Sequence, residues 1–332
     1  MKYEVKDKQY YFDALRLLAT VAVVLMHTSS SFCDLDNPPS YSNLFFFTFY
    51  HDIASFAVPV FVMISGALFL YPERDTSYPV LLRKYVRRIA LALVVFGLPM
   101  CLMETVFSHE PIANAFYNLL VGHSWTHMWY LYMLVGLYLL TPLVKALVKV
   151  ESRQTVEGVL LVLFLLSSVL PMLRDYGIPL ESWMLISTPF IFYYMLGYYL
   201  ASLEEARLGA AACFLISLLL PVTVLATFFG LLPEHMIDYA DVPVVIGTAG
   251  LFLFFKRMNV HWPMATACYP YCFAIYLVHP FFINVARKVF HIDLIAYAPS
   301  CISVPVACIV LFVLSLIVSW VLRKIPFMQK VV

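Results

Sequence analysis

Long apolar runs recur along the chain, each broken by a short polar or charged connection. They fall at roughly 10–31, 45–71, 85–107, 126–148, 155–173, 184–201, 209–230, 240–255, 265–290 and 301–321. A helix needs about 20 apolar residues to cross the hydrocarbon core of a bilayer, and irregular backbone cannot face lipid there. The pattern therefore predicts an all-α integral membrane protein, a bundle of about ten transmembrane helices. The run at 240–255 is the shortest, at 16 residues, and removing it would invert every segment downstream. No internal repeat, low-complexity tract or linker divides the chain, so residues 1–332 read as one transmembrane domain. The first run follows Lys2, Lys6 and Lys8 but lacks a small-residue cleavage site and carries Asp13 and Arg16, so it reads as a retained helix, not a signal peptide.

Composition agrees with this. Hydrophobic residues make up 63% of the chain and charged ones 12%, against about 25% charged in a soluble domain. Disorder, a fibrous repeat and a secreted disulfide scaffold are excluded. With 21 Lys+Arg against 20 Asp+Glu there is no basic surplus for nucleic acid. The distribution of charge carries more than its sum. With the N-terminus in the cytoplasm, 17 Lys and Arg fall on inner segments and three (Arg174, Arg287 and Lys288) on outer ends. That asymmetry predicts both termini inside. Acidic residues such as Asp34, Asp36, Glu181, Glu234, Asp238 and Asp241 gather near the outer loops, where a solvated face accounts for them. The seven cysteines sit mostly inside apolar runs. Cys268 and Cys272, one turn apart, have no second pair or His-x-His to complete a metal site, so no metal is expected.

Ionisable groups inside membrane spans are expensive and by default mark function. In the first span Arg16 and His27 are 11 residues apart, about 20° beyond three full turns and roughly 16 Å along the axis. They share one stripe with Asp13, Thr20 and Ser31. The plain alternative is an Asp13–Arg16 ion pair with a core histidine. The second span carries His51, Asp52, Ser55, Pro59, Ser65 and Gly66, with Pro59 expected to kink it; small and hydroxylated residues there also suit helix–helix packing. Arg83, Lys84, Arg87 and Arg88 crowd the start of the third span. They read either as an orientation and lipid signal or as a cytoplasmic site for a polyanion such as a coenzyme's phosphates. The fourth span opens with His127, Trp129, Tyr130 and Tyr132, part of which an interfacial aromatic belt explains. His279 sits in mid-membrane beside Pro280, where it serves either as a buried structural histidine or as part of a site.

Taken together, Asp13-Ala14-Leu15-Arg16 with ten residues before His27, Phe61 through Gly66, His127 through Tyr130, Tyr138 through Pro142 and Ile275 through His279 resemble the membrane-bound acyltransferase type-3 family. The branch most similar is that of enterobacterial-common-antigen O-acetyltransferases, and the similarity runs over essentially the whole chain. The resemblance implies an O-acyltransferase, most often an O-acetyltransferase, of the bacterial inner membrane. Such an enzyme takes its acyl group from cytoplasmic acyl-coenzyme A and delivers it to a hydroxyl of a surface or periplasmic glycan or a related small acceptor. It also implies that Arg16 and His27 carry activity. The family's Arg-x-x-Arg motif is met in spacing by Lys84 and Arg87, or missed by one with Arg83 and Arg87. On this reading His27 deprotonates the acceptor or briefly carries the acyl group. Arg16 with Arg83, Lys84, Arg87 and Arg88 holds the coenzyme. Asp13, Ser65, His127, Trp129, Tyr132 and His279 support the site by orienting His27 or stabilising an oxyanion. On physics alone a proton-coupled exporter of a glycan or metabolite suits ten spans with intramembrane histidines. The absence of a repeat between the halves and the Arg–His spacing count against it.

Overall fold

The computed structural model describes residues 9–33, 40–123, 125–180, 189–203, 208–232 and 237–332, with the side chain of residue 126 excepted. Lys2, Lys6, Lys8, Asp34, Asp36, Glu181, Arg207, Glu234 and the first residues of the expected sixth span lie outside that set. Among the described residues the regular structure is helical throughout. Eight helices are long and apolar enough to cross a membrane. They are α1 (Tyr10–Phe32), α2 (Tyr41–Phe69), α3 (Tyr78–Phe107), α5 (Trp129–Val150), α6 (Arg153–Asp175), α8 (Ala210–Phe228), α10 (Pro263–Val289) and α11 (Ser300–Leu322). A short α4 (Ala113–Val121) lies between α3 and α5. The other two expected spans appear as α7 (Phe190–Ser202) and α9 (Val242–Met258), helices of 13 and 17 residues.

Prolines explain part of the local irregularity. A proline at position i leaves the carbonyl of i−4 without its helical partner. The 3₁₀ turn Ala54–Phe56 in α2 contains Ser55, four residues before Pro59. The π turns Leu93–Gly97 and Leu165–Val169 contain Val95 and Ser167, four before Pro99 and Pro171. The kink expected at Pro59 thus takes the form of a tightened turn just ahead of it.

The core runs through α1, α2, α5, α7, α9 and α10, with Leu15, Val60, Met63, Leu131, Tyr193, Tyr194, Phe252 and Leu277 all in one buried cluster. Helices α6, α8 and α11 form the periphery and present Leu161, Val222 and Ile309 outward. Lipid is as apolar as these side chains, so such a surface carries no penalty. The short α7 is instead nearly enclosed, and it meets α2 backbone to backbone. A Cβ built on Gly66 would lie 1.8 Å from the Tyr194 carbonyl oxygen, and one on Gly197 would lie 2.0 Å from that of Met63. Only glycine permits that crossing, which fixes the wall from which Ile64 and Ser65 project.

Polar ties join helix ends at both faces of the bundle. Lys256 Nζ donates to the carbonyls of Leu200, Ala201 and Leu203 at 2.8, 2.8 and 2.6 Å, satisfying carbonyls that the end of α7 leaves open. Asn259, in the left-handed conformation after α9, accepts the Tyr11 N–H at the start of α1 through Oδ1, 3.3 Å away. At the opposite face Ser300 donates from its N–H and hydroxyl to Asn43. The start of α1 and the end of α11 share one face, where Arg16 and Arg323 border the same cavity.

Candidate active site

A cavity of about 600 Å³ opens at the face that gathers the start of α1 and the end of α11. Its mouth carries three guanidinium groups, Arg16, Arg88 and Arg323, and no carboxylate side chain is among the described residues that line it. Each cation is seated on a ring. Arg16 lies 5.2 Å from the centre of Tyr269, Arg88 5.1 Å from Phe273 and Arg323 5.3 Å from Tyr271. Arg16 is also 3.7 Å from Asp13, so the plain ion pair exists. It leaves the guanidinium on the cavity wall because aromatic stacking holds it from the other side. Arg88 donates from Nε to the Val331 carbonyl, which ties the segment after α11 to the mouth. Further in, the walls are Phe61, Ile64, Ser65, Tyr85, Tyr138 and Cys272, and the inner end is Tyr130 and Tyr276.

Beyond that pair stand three histidines from three elements. His27 is near the end of α1, His127 lies on the 3₁₀ turn that leads into α5, and His279 is in α10. Their ring centres form a triangle with sides of 5.3 Å (His27–His279), 5.8 Å (His127–His279) and 6.1 Å (His27–His127). His127 and His279 are fully buried, whereas His27 is half-buried. Tyr276 joins the cavity to this cluster: it lines the cavity, its hydroxyl donates to the His127 carbonyl, and its ring packs at 5.6 Å from Tyr130. Three buried nitrogens around the cluster have no hydrogen-bond partner, namely Nε2 of His127, Nε2 of His279 and Nε1 of Trp125. Buried polar atoms are normally paired, so three around one cluster single it out as a place where a polar guest would find partners. Among the described residues no group of three or more His, Cys, Asp or Glu side chains is arranged to hold a metal ion.

The family model for the acyltransferase-3 group, described as an acyltransferase domain, matches residues 9–324. The chain belongs to this family. It is a membrane acyltransferase, as the resemblance of its motifs implied. No curated protein and no solved structure matches the chain.

Within the acyltransferase, the residues singled out in the sequence are distributed unevenly. Arg16 and Ser65 line the cavity, with Ser65 Oγ donating back to the Phe61 carbonyl at 2.9 Å. His27, His127 and His279 come together beyond it. The two ends of the α1 stripe therefore differ in setting: Arg16 lines the cavity, whereas His27 does not and packs in the histidine cluster next to Tyr276. Of the basic cluster, Arg88 reaches the cavity, while Arg83, Lys84 and Arg87 are exposed and do not line it. The π turn Leu81–Val86 inserts an extra residue and turns the helix face there. Trp129 packs against Phe190 and Tyr239 at 5.3 and 5.9 Å, and Tyr239 in turn donates to the sulfur of Met26, next to His27. Tyr132 donates to the Leu119 carbonyl at 2.5 Å, tethering α4 to α5. His51 and Asp52 pair with each other at 2.9 Å.

Three residues that complete the site were not singled out. Arg323 had counted only toward orientation, although Arg323-Lys324 at the end of the last span matches the basic start of the third. Tyr276 lies inside the Ile275–His279 motif and could have been read from it. Trp125 lies two residues before His127, in a connection where an indole reads as interfacial belt. Only the fold shows its nitrogen buried.

Proposed function

We propose that this acyltransferase moves an acetyl group from acetyl-coenzyme A, supplied from the cytoplasm, to a hydroxyl of a cell-surface or periplasmic glycan or related small acceptor. It does so across a bacterial inner membrane, with both chain termini on the cytoplasmic side. One observation carries the reading: a single helix presents Arg16 to a cavity bordered by three guanidiniums and, 11 residues on, His27 to a cluster with two buried imidazoles. A cavity of about 600 Å³ falls within the usual 300–1,000 Å³ of small-molecule sites. Arg16, Arg88 and Arg323 suit the phosphates of a coenzyme, since guanidinium forks match phosphate oxygens. The stretch of α1 between Arg16 and His27, roughly 16 Å at 1.5 Å per residue, fits an extended pantetheine arm; Tyr130 and Tyr276, whose rings are in contact at 5.6 Å, have to part for its thioester to reach His27. His27 takes the proton from the acceptor hydroxyl as its oxygen attacks the thioester carbon, then returns it to the departing thiolate.

The test uses the full-length protein in nanodiscs with labelled acetyl-coenzyme A, together with mass spectrometry of surface glycans from a deletion strain. His27→Ala is expected to insert and unfold like the wild type and to transfer no label. Label transferred by that variant at the wild-type rate removes His27 from the chemistry. Unchanged surface glycans in the deletion strain point to a small free acceptor instead.

A further inference from the structure

The surroundings of His279 settle what each of its ring nitrogens does. Nδ1 lies 3.0 Å from the Ile275 carbonyl oxygen. A carbonyl only accepts, so Nδ1 carries the hydrogen, and in the neutral ring Nε2 is then a bare lone pair. That lone pair is fully buried and has no partner. His279 is thus an acceptor waiting for a donor and cannot itself donate from Nε2 to a developing oxyanion.

The neighbours narrow the choice of donor. The Tyr276 hydroxyl is already given to the His127 carbonyl. His127 stands 5.8 Å away with its ring turned by 64°. His27 is nearer, at 5.3 Å, and its ring is tilted by 34°. A ring nitrogen sits about 1.1 Å from its centroid and an N–H···N bond spans about 3 Å, so two imidazoles joined edge to edge have centres roughly 5.2 Å apart. The centroid separation of His27 and His279 therefore already suits such a bond, and only the His27 ring has to turn, since His279 is held by its bond to the Ile275 carbonyl. Such contacts are often loose before substrate arrives and tighten in the complex.

We infer that His279 is the positioning residue for His27. Its Nε2 accepts the His27 N–H, so that the other His27 nitrogen is left bare and aimed at the acceptor hydroxyl. This rests on the reading of His27 as the base. The arrangement runs from the Ile275 carbonyl through His279 to His27, and it follows the logic by which a third group orients the base of a nucleophile–base pair. Here that third group is a neutral ring, so no carboxylate charge is brought into the membrane interior. In the reaction the acceptor oxygen bonds to the acyl carbon and the carbon–sulfur bond breaks. The hydroxyl proton goes to the bare His27 nitrogen and then to the thiolate sulfur. His279 keeps its own hydrogen on Nδ1 throughout.

Three substitutions separate positioning from packing. Glutamine can place an amide oxygen near the position of Nε2, asparagine reaches only as far as Nδ1, and phenylalanine fills the space without an acceptor. His279→Phe and His279→Asn are expected to lower kcat roughly 10²-fold, within the range attributed to a well-placed general base. The donor KM should be unchanged because the arginine mouth is untouched, and His279→Gln should recover most of the loss. Nitrogen-15 spectra of histidine-labelled wild-type protein should assign His279 as the Nδ1–H tautomer, a measurement that needs no folded variant. The inference is overturned if His279 proves protonated at Nε2, if His279→Phe keeps the wild-type kcat while His27→Ala is dead, or if glutamine does no better than phenylalanine. Activity surviving in His27→Ala would instead remove the reading beneath it.

Discussion

Gly66→Ala tests whether the α2–α7 crossing holds the cavity wall in place. The added methyl carbon would start 1.8 Å from the Tyr194 carbonyl oxygen and 2.6 Å from its carbonyl carbon, whereas real Cβ contacts are essentially never under 3.0 Å. Relief must come from the backbones, because the obstructing atoms belong to the main chain of α7 and no flexible side chain can swing away. Overpacking a core costs about 1–3 kcal/mol, occasionally more, and a rigid obstruction puts this case at the upper end, near 3 kcal/mol. At an unfolding entropy of about 2.1 cal/mol/K per residue, a chain of 332 residues loses about 1.4 °C per kcal/mol, so the melting temperature should fall by about 4 °C. Parting the helices also moves Ser65, so donor-dependent activity should drop in the protein that stays folded. Gly197→Ala meets the Met63 carbonyl at 2.0 Å from the other side of the same crossing. The double variant should therefore lose less than the sum of the single ones, as coupled sites do. Gly158→Ala is the control: nothing lies within 4 Å of a Cβ there, and in a helix interior the change is neutral or stabilising by up to about 1 kcal/mol. Thermal unfolding in nanodiscs, followed by tryptophan fluorescence, reads all four variants. Equal melting temperatures for Gly66→Ala and Gly158→Ala would refute the reasoning.

Two further perturbations address the chemistry. Arg88→Ala should raise the KM for acetyl-coenzyme A about tenfold or more with little change in kcat, since a hydrogen bond to a charged group contributes about 1.5–3 kcal/mol. Arg87→Ala, one residue away but off the cavity, should leave both constants alone, and equal effects from the two would show that the cluster acts only through its summed charge. Trp125→Phe removes a buried N–H that can only donate, beside His127 at 6.4 Å. If the indole steadies the developing oxyanion, kcat should fall roughly 10²-fold at constant donor KM; an unchanged kcat dismisses that role.

The all-α membrane class was legible in the chain because hydropathy reports directly on the solvent a segment tolerates, whereas of the ten expected spans eight are helices long and apolar enough to cross a membrane among the described residues. Boundaries agree to within a few residues for most spans. That Arg16 and His27 fall on one stripe of α1 follows from the sequence alone, since helical periodicity is a local property. Less local facts were not. Four cations at the start of α3 look equivalent as a sequence, yet the π turn at Leu81–Val86 and the packing of Phe273 bring Arg88 alone of them to the cavity. Gly66 and Gly197 read as generic small residues, and nothing local says that each abuts the backbone of the other's helix.

By itself the sequence determined that this is an all-α membrane protein and roughly where its apolar helices lie, and it put Arg16 and His27 on one stripe of the first of them. Hydrophobic length and angular period are additive along a chain and need no partner to be read. Tertiary structure alone decided that Arg16, Arg88 and Arg323 border one cavity, and that His27, His127 and His279 form one triangle. It also decided that Nε2 of His279 is buried without a hydrogen-bond partner. Those depend on which helices lie side by side and on where each buried polar atom finds its partner, and both are set by packing between segments far apart in the chain.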